Sequence, residues 1–301
     1  MHYRTLFLSD CHLGSRGCRA EELADFLRHV RCERLYLVGD IVDMWRLRQK
    51  WYWPTEHNRV LQRLFHLARS GTEVIFIPGN HDESARQFLG ADFGGIRVLP
   101  YAIHHTRGGR RLLVTHGDQF DLVVMHSRFI SMIGAKAYEW LLWVNGGYNA
   151  VRRRFHLPQR SLSKAIKLRV KHACTFISKF EESLVQEAER RGFDGVVCGH
   201  IHQAEARPAR GDSAIGYFNC GDWVEGCTAI VEDLSGELRL IDAERELRRH
   251  VRRSRRRAKT DAGVEAEARF RLPDELPPLA TLISAQRVFA AKEDESQLTF
   301  W

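Results

Sequence analysis

The 301-residue chain is 44% apolar, enough for one large core, and has no uninterrupted apolar run of the roughly 18 residues that a membrane span needs. Its seven cysteines are odd in number and include no Cys-x-x-Cys pair, which argues against a disulfide framework or zinc knuckle and fits a reducing cytoplasm; Met1 to Arg4 runs into the first strand with no signal peptide expected. The net charge of +8 is uneven: residues 122–192 carry 13 basic and 5 acidic side chains and residues 244–259 carry 9 and 2, two segments suited to the phosphates of a nucleic acid, an anionic lipid surface or a substrate.

The first expected strand, Thr5 to Leu8, leads to Asp10 and His12. An amphipathic helix follows over Glu21 to Val30, with Leu23, Phe26, Leu27 and Val30 on one face. The next apolar run, Leu35 to Val38, meets Gly39, which lets the chain turn sharply and deliver Asp40 at the strand's carboxyl edge, with Asp43 three residues on. A longer helix is expected from Thr55 to Ser70, capped by Thr55, burying Val60, Leu61, Leu64, Phe65 and Leu67 and ending at Gly71. The strand Val74 to Ile77 leads to Asn80, His81 and Asp82, and a short helix near Ser84 to Leu89.

From Ile96 the texture changes to short strands: Ile96 to Leu99, Ala102 to His105, a Gly108-Gly109 turn, and Arg111 to Thr115 before His116. A helical insert then spans roughly Leu122 to Gly192. Its first stretch, His126 to Phe155, holds Trp140, Trp143 and a basic end at Arg152, Arg153 and Arg154; it reads either as a core helix or as one that meets lipid or encloses acyl chains. Its second, Ser161 to Arg191, carries the stripe Leu162, Ile166, Val170, Ala173, Ile177, Phe180, Leu184 and Ala188, for which packing on the domain is the simpler account. Val196 to Cys198 leads to His200 and His202, and Ala214 to Asn219, Thr228 to Val231 and Leu238 to Ile241 are further strands. A basic run, Arg245 to Lys259, reads as a helical extension with a solvated or membrane- or RNA-facing surface, decaying into a poorly ordered tail. The pattern is an α/β chain with two packed sheets flanked by helices.

One strand ending in Asp is weak evidence for a site, since most such residues cap a turn. Five strands each ending in Asp, Asn or His are another matter. Asp10, His12, Asp40, Asn80, His116, His200 and His202 form a ligand set suited to Mn²⁺, and also to Fe²⁺, Mg²⁺ or Zn²⁺. On extended backbone the pairs Asp10/His12 and His200/His202 would each point one way. Seven ligands exceed the needs of one ion and suit two divalent ions that share a carboxylate and a water, acidifying that water into a hydroxide nucleophile near neutral pH.

The blocks Asp10-Cys11-His12, Gly39 to Asp43, Gly79 to Asp82, Thr115 to Gly117 and Gly199 to His202, all present in order, resemble the calcineurin-like metallophosphoesterase superfamily. The resemblance implies a four-layer αββα sandwich with a helical insert acting as a lid. It implies one metal on Asp10, His12, Asp40 and His202, and another on Asp40, Asn80, His116 and His200. It also implies His81 as the group serving the leaving oxygen, with Asp43 orienting it. Asp10 to Gly14, the long insert and Asn219 to Trp223 are most similar to the UDP-2,3-diacylglucosamine pyrophosphohydrolases of lipid A synthesis, whose insert takes the acyl chains. The best-known members carry Arg where this chain has His81.

The expected domains are therefore residues 1–121 and 193–243, two parts of a metallophosphoesterase domain, with the insert at 122–192 and a basic run and tail at 244–301. The expected activity is cleavage of the pyrophosphate of a UDP-diacylglucosamine-like lipid nucleotide, with Trp140, Trp143, Arg152 and Arg153 as candidate substrate contacts and a cytoplasmic location peripheral to the membrane's inner face. The alternatives are a phosphodiesterase acting on nucleic acid or cyclic nucleotides, and a scaffold without turnover, which should lack ligands that are all present here.

Overall fold

The computed structural model describes residues 1–123, 163–209 and 215–254, with backbone alone for 121–123 and 163–175. The chain divides into two units, Met1–Arg249 and His250–Trp301, and of the second only residues 250–254, which are helical, are described.

In the first sheet β1 (His2–Leu8), β2 (Arg31–Val38), β3 (Glu73–Ile77) and β4 (Ile96–Val98) run parallel, while β10 (Thr228–Glu232) and β11 (Leu238–Asp242) extend the β1 edge antiparallel. The second sheet has the order β5-β6-β7-β9-β8, formed by Ala102–His105, Arg111–Val114, Gly195–Cys198, Gly216–Asn219 and Glu205–Arg207. Its three central strands are parallel.

Alternation along each strand decides which layer a side chain enters. Leu6, Leu8, Leu35 and Leu37 pack against Leu23, Phe26 and Leu27 of α1 (Ala20–His29) and Val60 and Leu64 of α3 (Thr55–Arg69). Their neighbours Phe7, Tyr36 and Val38 face the other way, onto Leu112, Val114, Val197 and Phe218 of the second sheet. That sheet's outer residues Leu113, Val196, Cys198 and Tyr217 pack on Phe180, Leu184 and Ala188 of α4 (Ser163–Arg190). The order is helices, sheet, sheet, helix: the αββα sandwich. Strands covered on both faces must be apolar throughout, which is why β1 to β3 read as continuous runs.

Several local expectations shift. Thr55 is the first helical residue rather than the cap, since Pro54 holds the cap position without a side-chain hydrogen bond. Leu61 and Phe65 are only half-buried. Glu83–Phe88 is a 3-10 turn. The six-residue α2 (Met44–Gln49), with the Asp43 carboxylate accepting the Arg46 N–H, and the three-residue β8 were not foreseen, being too short to carry a periodic pattern. The second insert stretch packs on the domain through Phe180, Leu184 and Ala188, while the first, with Trp140, Trp143, Arg152 and Arg153, lies outside the described residues, as does the tail beyond 254.

Away from the strands' carboxyl edge, a polar cluster pins the two sheets together. Glu232 of β10, with a side chain 0% exposed, accepts from Arg4 (2.5 Å), His104 Nε2 (2.9 Å) and the Arg107 N–H (2.7 Å). Burial alone would raise its carboxyl, but those donors pull it down to about 2. Burial holds His104 below its ordinary value, so it serves as a neutral donor. A carboxylate whose pKa is depressed on folding stabilises fully above its ordinary value of 4.5 and loses that contribution as pH falls toward about 2. Glu232→Ala should therefore cost about 3 kcal/mol at pH 7. Urea unfolding at pH 7 and pH 3 checks this: the gap between wild type and variant should narrow at the lower pH.

Candidate metal centre

The parallel strands end together, so the loops after β1, β2, β3, β6 and β7 meet at one edge of the sandwich. The first two loops are zipped by main-chain bonds: Asp10 N–H to Gly39 O, His12 N–H to Asp40 O, Leu13 N–H to Ile41 O and Asp43 N–H to Leu13 O. Among the described residues, the non-glycine positions with positive φ are Asp10, His12, Asp40, His200 and His202, every one a candidate ligand. Left-handed backbone at such residues costs about 1–3 kcal/mol each and persists only where surrounding structure enforces it. The two pairs expected on extended backbone thus converge for another reason, which is loop curvature.

Three groups of donor atoms each lie within 4.8 Å of one another: Asp10, His12 and His202; Asp40, His116 and His200; and His12, Asp43 and His81. Asp40 faces the first two groups, with Oδ1 at 3.4 Å from His116 Nε2 and Oδ2 at 3.9 Å from His12 Nε2. Asp10 Oδ1 is 3.2 Å from His202 Nε2, and the Nε2 atoms of His12 and His202 are 3.3 Å apart. His116 donates Nδ1–H to Val38 O (2.9 Å), which turns Nε2 toward Asp40. His81 holds Nδ1 on Asp43 Oδ1 (3.0 Å), presents Nε2 4.0 Å from Asp40 Oδ2, and lies against the ring of Trp45 at a centroid distance of 4.4 Å.

Close approach makes glycine obligatory at two positions. A Cβ on Gly39, which also has φ of 78°, would overlap the His116 ring, and one on Gly79 would overlap Asp40 Oδ1 and the same ring. Asp82, named in the sequence only as part of its block, proves to be the clamp of the second and third loops. Its buried carboxylate accepts the N–H groups of Gly79 (2.6 Å), Ile41 (2.7 Å), Asp40 and Val42. Trp45 was also missed, for it sits in the unforeseen α2.

Electrostatics and unmet bonding capacity test whether this donor set fits a metal. Burial opposes charge on both Asp10 and Asp40, yet His202 holds Asp10, and His116 holds Asp40, below the usual carboxylate range. Burial opposes charge on His116 too, but Asp40 raises it to about 10. The centre therefore demands positive charge. Of the five buried side-chain polar atoms that make no hydrogen bond among the described residues, four are Asp10 Oδ1, Asn80 Oδ1 and Nδ2, and His116 Nε2. Buried polar atoms are seldom left so. Oxygen and imidazole donors left without hydrogen bonds and converging on buried carboxylates fit divalent cations.

Comparison with known proteins points the same way. Over 254 residues the chain is 29% identical to a UDP-2,3-diacylglucosamine hydrolase of Xanthomonas campestris, covering 77% of this chain and 96% of that one. With a Haemophilus influenzae protein of the same description it shares 25% over 252 residues, covering 78% and 97%. A solved structure of a predicted phosphoesterase from Streptococcus pneumoniae is 12% identical, covering 80% of this chain and 90% of that one, with a TM-score of 0.34, too low to carry argument. The family model described as calcineurin-like phosphoesterase matches residues 3–204, a span that includes every candidate ligand, and the chain belongs to that family of metal-dependent hydrolases.

Proposed function

We propose that the chain is a dinuclear phosphohydrolase that cleaves the pyrophosphate of a UDP-diacylglucosamine-like lipid nucleotide. The observation that carries the dinuclear part is Asp40, one carboxylate oxygen turned to each of two histidine groups. In this reading Asp10, His12, Asp40 and His202 hold one divalent ion, and Asp40, Asn80, His116 and His200 the other, a donor set that accepts Mn²⁺ as well as Fe²⁺, Mg²⁺ or Zn²⁺. When bound, the two ions supply Lewis acidity toward phosphate oxygens and acidify water near neutral pH.

The chain's own residues do the rest. His116 is oriented by Val38 O, and Asp82 ties the third loop, which carries Asn80, to the second, which carries Asp40. His81, with Nδ1 fixed by Asp43, has Nε2 turned into the site as the proton donor for the bridging oxygen when its bond to the attacked phosphorus breaks. Burial would raise Asp43, but His12, His81 and the Arg46 N–H keep it below the ordinary range, so it stays a charged acceptor that fixes the His81 ring. The relatives' described substrate supports a lipid nucleotide. The acyl-binding role of the insert rests on the composition of 126–155. No helix among the described residues is long and apolar enough to cross a membrane, and the basic segments suit peripheral contact with an anionic inner membrane face.

The test is hydrolysis by manganese-loaded protein of UDP-2,3-diacylglucosamine beside bis(p-nitrophenyl) phosphate and a short single-stranded RNA. Release of UMP much faster than cleavage of the others is expected; turnover of the generic diester or the RNA alone would turn the reading to a phosphodiesterase. His81→Ala should lower kcat by about 10²–10⁴-fold while leaving manganese binding in place. Gly79→Ala, by pushing on Asp40 and His116, should weaken manganese binding by about 10–100-fold in calorimetric titration, with the far-UV circular dichroism spectrum unchanged.

A further inference from the structure

We propose that the cleft beside the candidate metal centre is a second-phosphate subsite, in which Arg16, Arg46 and Lys50 take the phosphate of a nucleoside-diphosphate-type ligand that is not under attack. The inference rests on the phosphohydrolase reading above and names the substrate class that the site selects. The cleft measures about 450 Å³ and is continuous with the centre, since His81 and His202 line it together with Arg16, Arg46, Lys50 and Tyr52. That volume lies in the range of small-molecule sites, about 300–1,000 Å³, and exceeds what one phosphate needs.

Charge is the stronger argument. Asp43 is the sole acid among the described residues lining the cleft, and its oxygens already serve His12 and His81. Arg16 and Lys50 form no ion pair among the described residues, although arginines elsewhere pair readily, as Arg34 does with Glu73 and Arg86 with Asp118. Arg46 only approaches Asp43 at 3.9 Å and remains largely exposed. Three cations line one cleft whose single acid is already engaged, which favours an anion there.

The cleft is also held in place. The Arg16 guanidinium rests 5.1 Å above the Tyr52 ring. Its loop is anchored where the Gly14 N–H donates to His57 Nδ1 (3.0 Å), and Leu13 bridges to Val42. The helix bearing Arg46 is fixed at its start by the Asp43 cap and by Met44 N–H on His81 O. An arginine set in advance, as Arg16 is, loses less freedom when a phosphate arrives.

The experiment is calorimetric titration of the manganese-loaded full chain with non-hydrolysable α,β-methylene-UDP and with UMP, which differ by the second phosphate. The wild type should bind the diphosphate at least about tenfold more tightly, and Arg16→Ala with Lys50→Ala should cut that preference below about threefold. The charge-preserving pair Arg16→Lys with Lys50→Arg should restore most of it. Should the double variant not fold, Lys50→Ala alone, on the exposed rim, must still reduce the preference. A wild type without the preference, a variant that keeps it, or a parallel loss of both ligands would each overturn the subsite. Failure to hydrolyse UDP-2,3-diacylglucosamine with the preference intact would instead remove the lipid substrate and leave the subsite standing.

Discussion

Two carboxylates, Asp10 and Asp40, are buried side by side where the loops after β1 and β2 meet. Burying an ion costs several kcal/mol even after relaxation, and placing a second of the same sign beside it costs more. Much of the surrounding structure answers that cost. The imidazoles of His116 and His202 are turned inward, the zipped loops hold backbone in left-handed conformations, and Gly39 and Gly79 leave room for rings and carboxylates that a methyl group would displace. The demand for positive charge persists in the orphaned atoms of Asp10, Asn80 and His116, and divalent cations are the chemistry that meets it.

The sandwich makes such a concentration of strain affordable. Five strands from two sheets deliver their carboxyl ends to one edge, and the layers behind that edge are closed by Phe7, Tyr36, Val197 and Phe218 between the sheets. The Glu232 cluster ties the sheets away from the site, so the loops can carry unusual backbone without the layers sliding. Asp82 performs the corresponding task at the site, spending one buried carboxylate on four backbone N–H groups of two loops.

Function follows from adjacency. Next to the charged centre stands a histidine held by a carboxylate and packed near Trp45, and it shares one cleft with Arg16, Arg46 and Lys50. In the proposed reading the centre draws one phosphate and these cations another, which suits a compound containing both. The family match spans the centre, and the cations come from the loop after β1, from α2 and from Lys50 just past its end.

The five strand-end blocks were legible because each combines a buried parallel strand, which must be apolar throughout, with a polar ligand immediately after it. The layering was legible too, since alternate residues such as Leu6 and Phe7 must enter different layers. Local sequence thus determined which residues are candidates and roughly where they lie along the chain. It could not determine how they converge. Asp10-x-His12 meets through left-handed curvature rather than extended alternation, because the zipped neighbouring loop imposes that path. Nor could it mark Asp82 as a clamp or bring Arg16 and Lys50 to one cleft, for those relations join residues tens of positions apart. Such contacts exist only once the sheets have packed, and tertiary structure alone decides them.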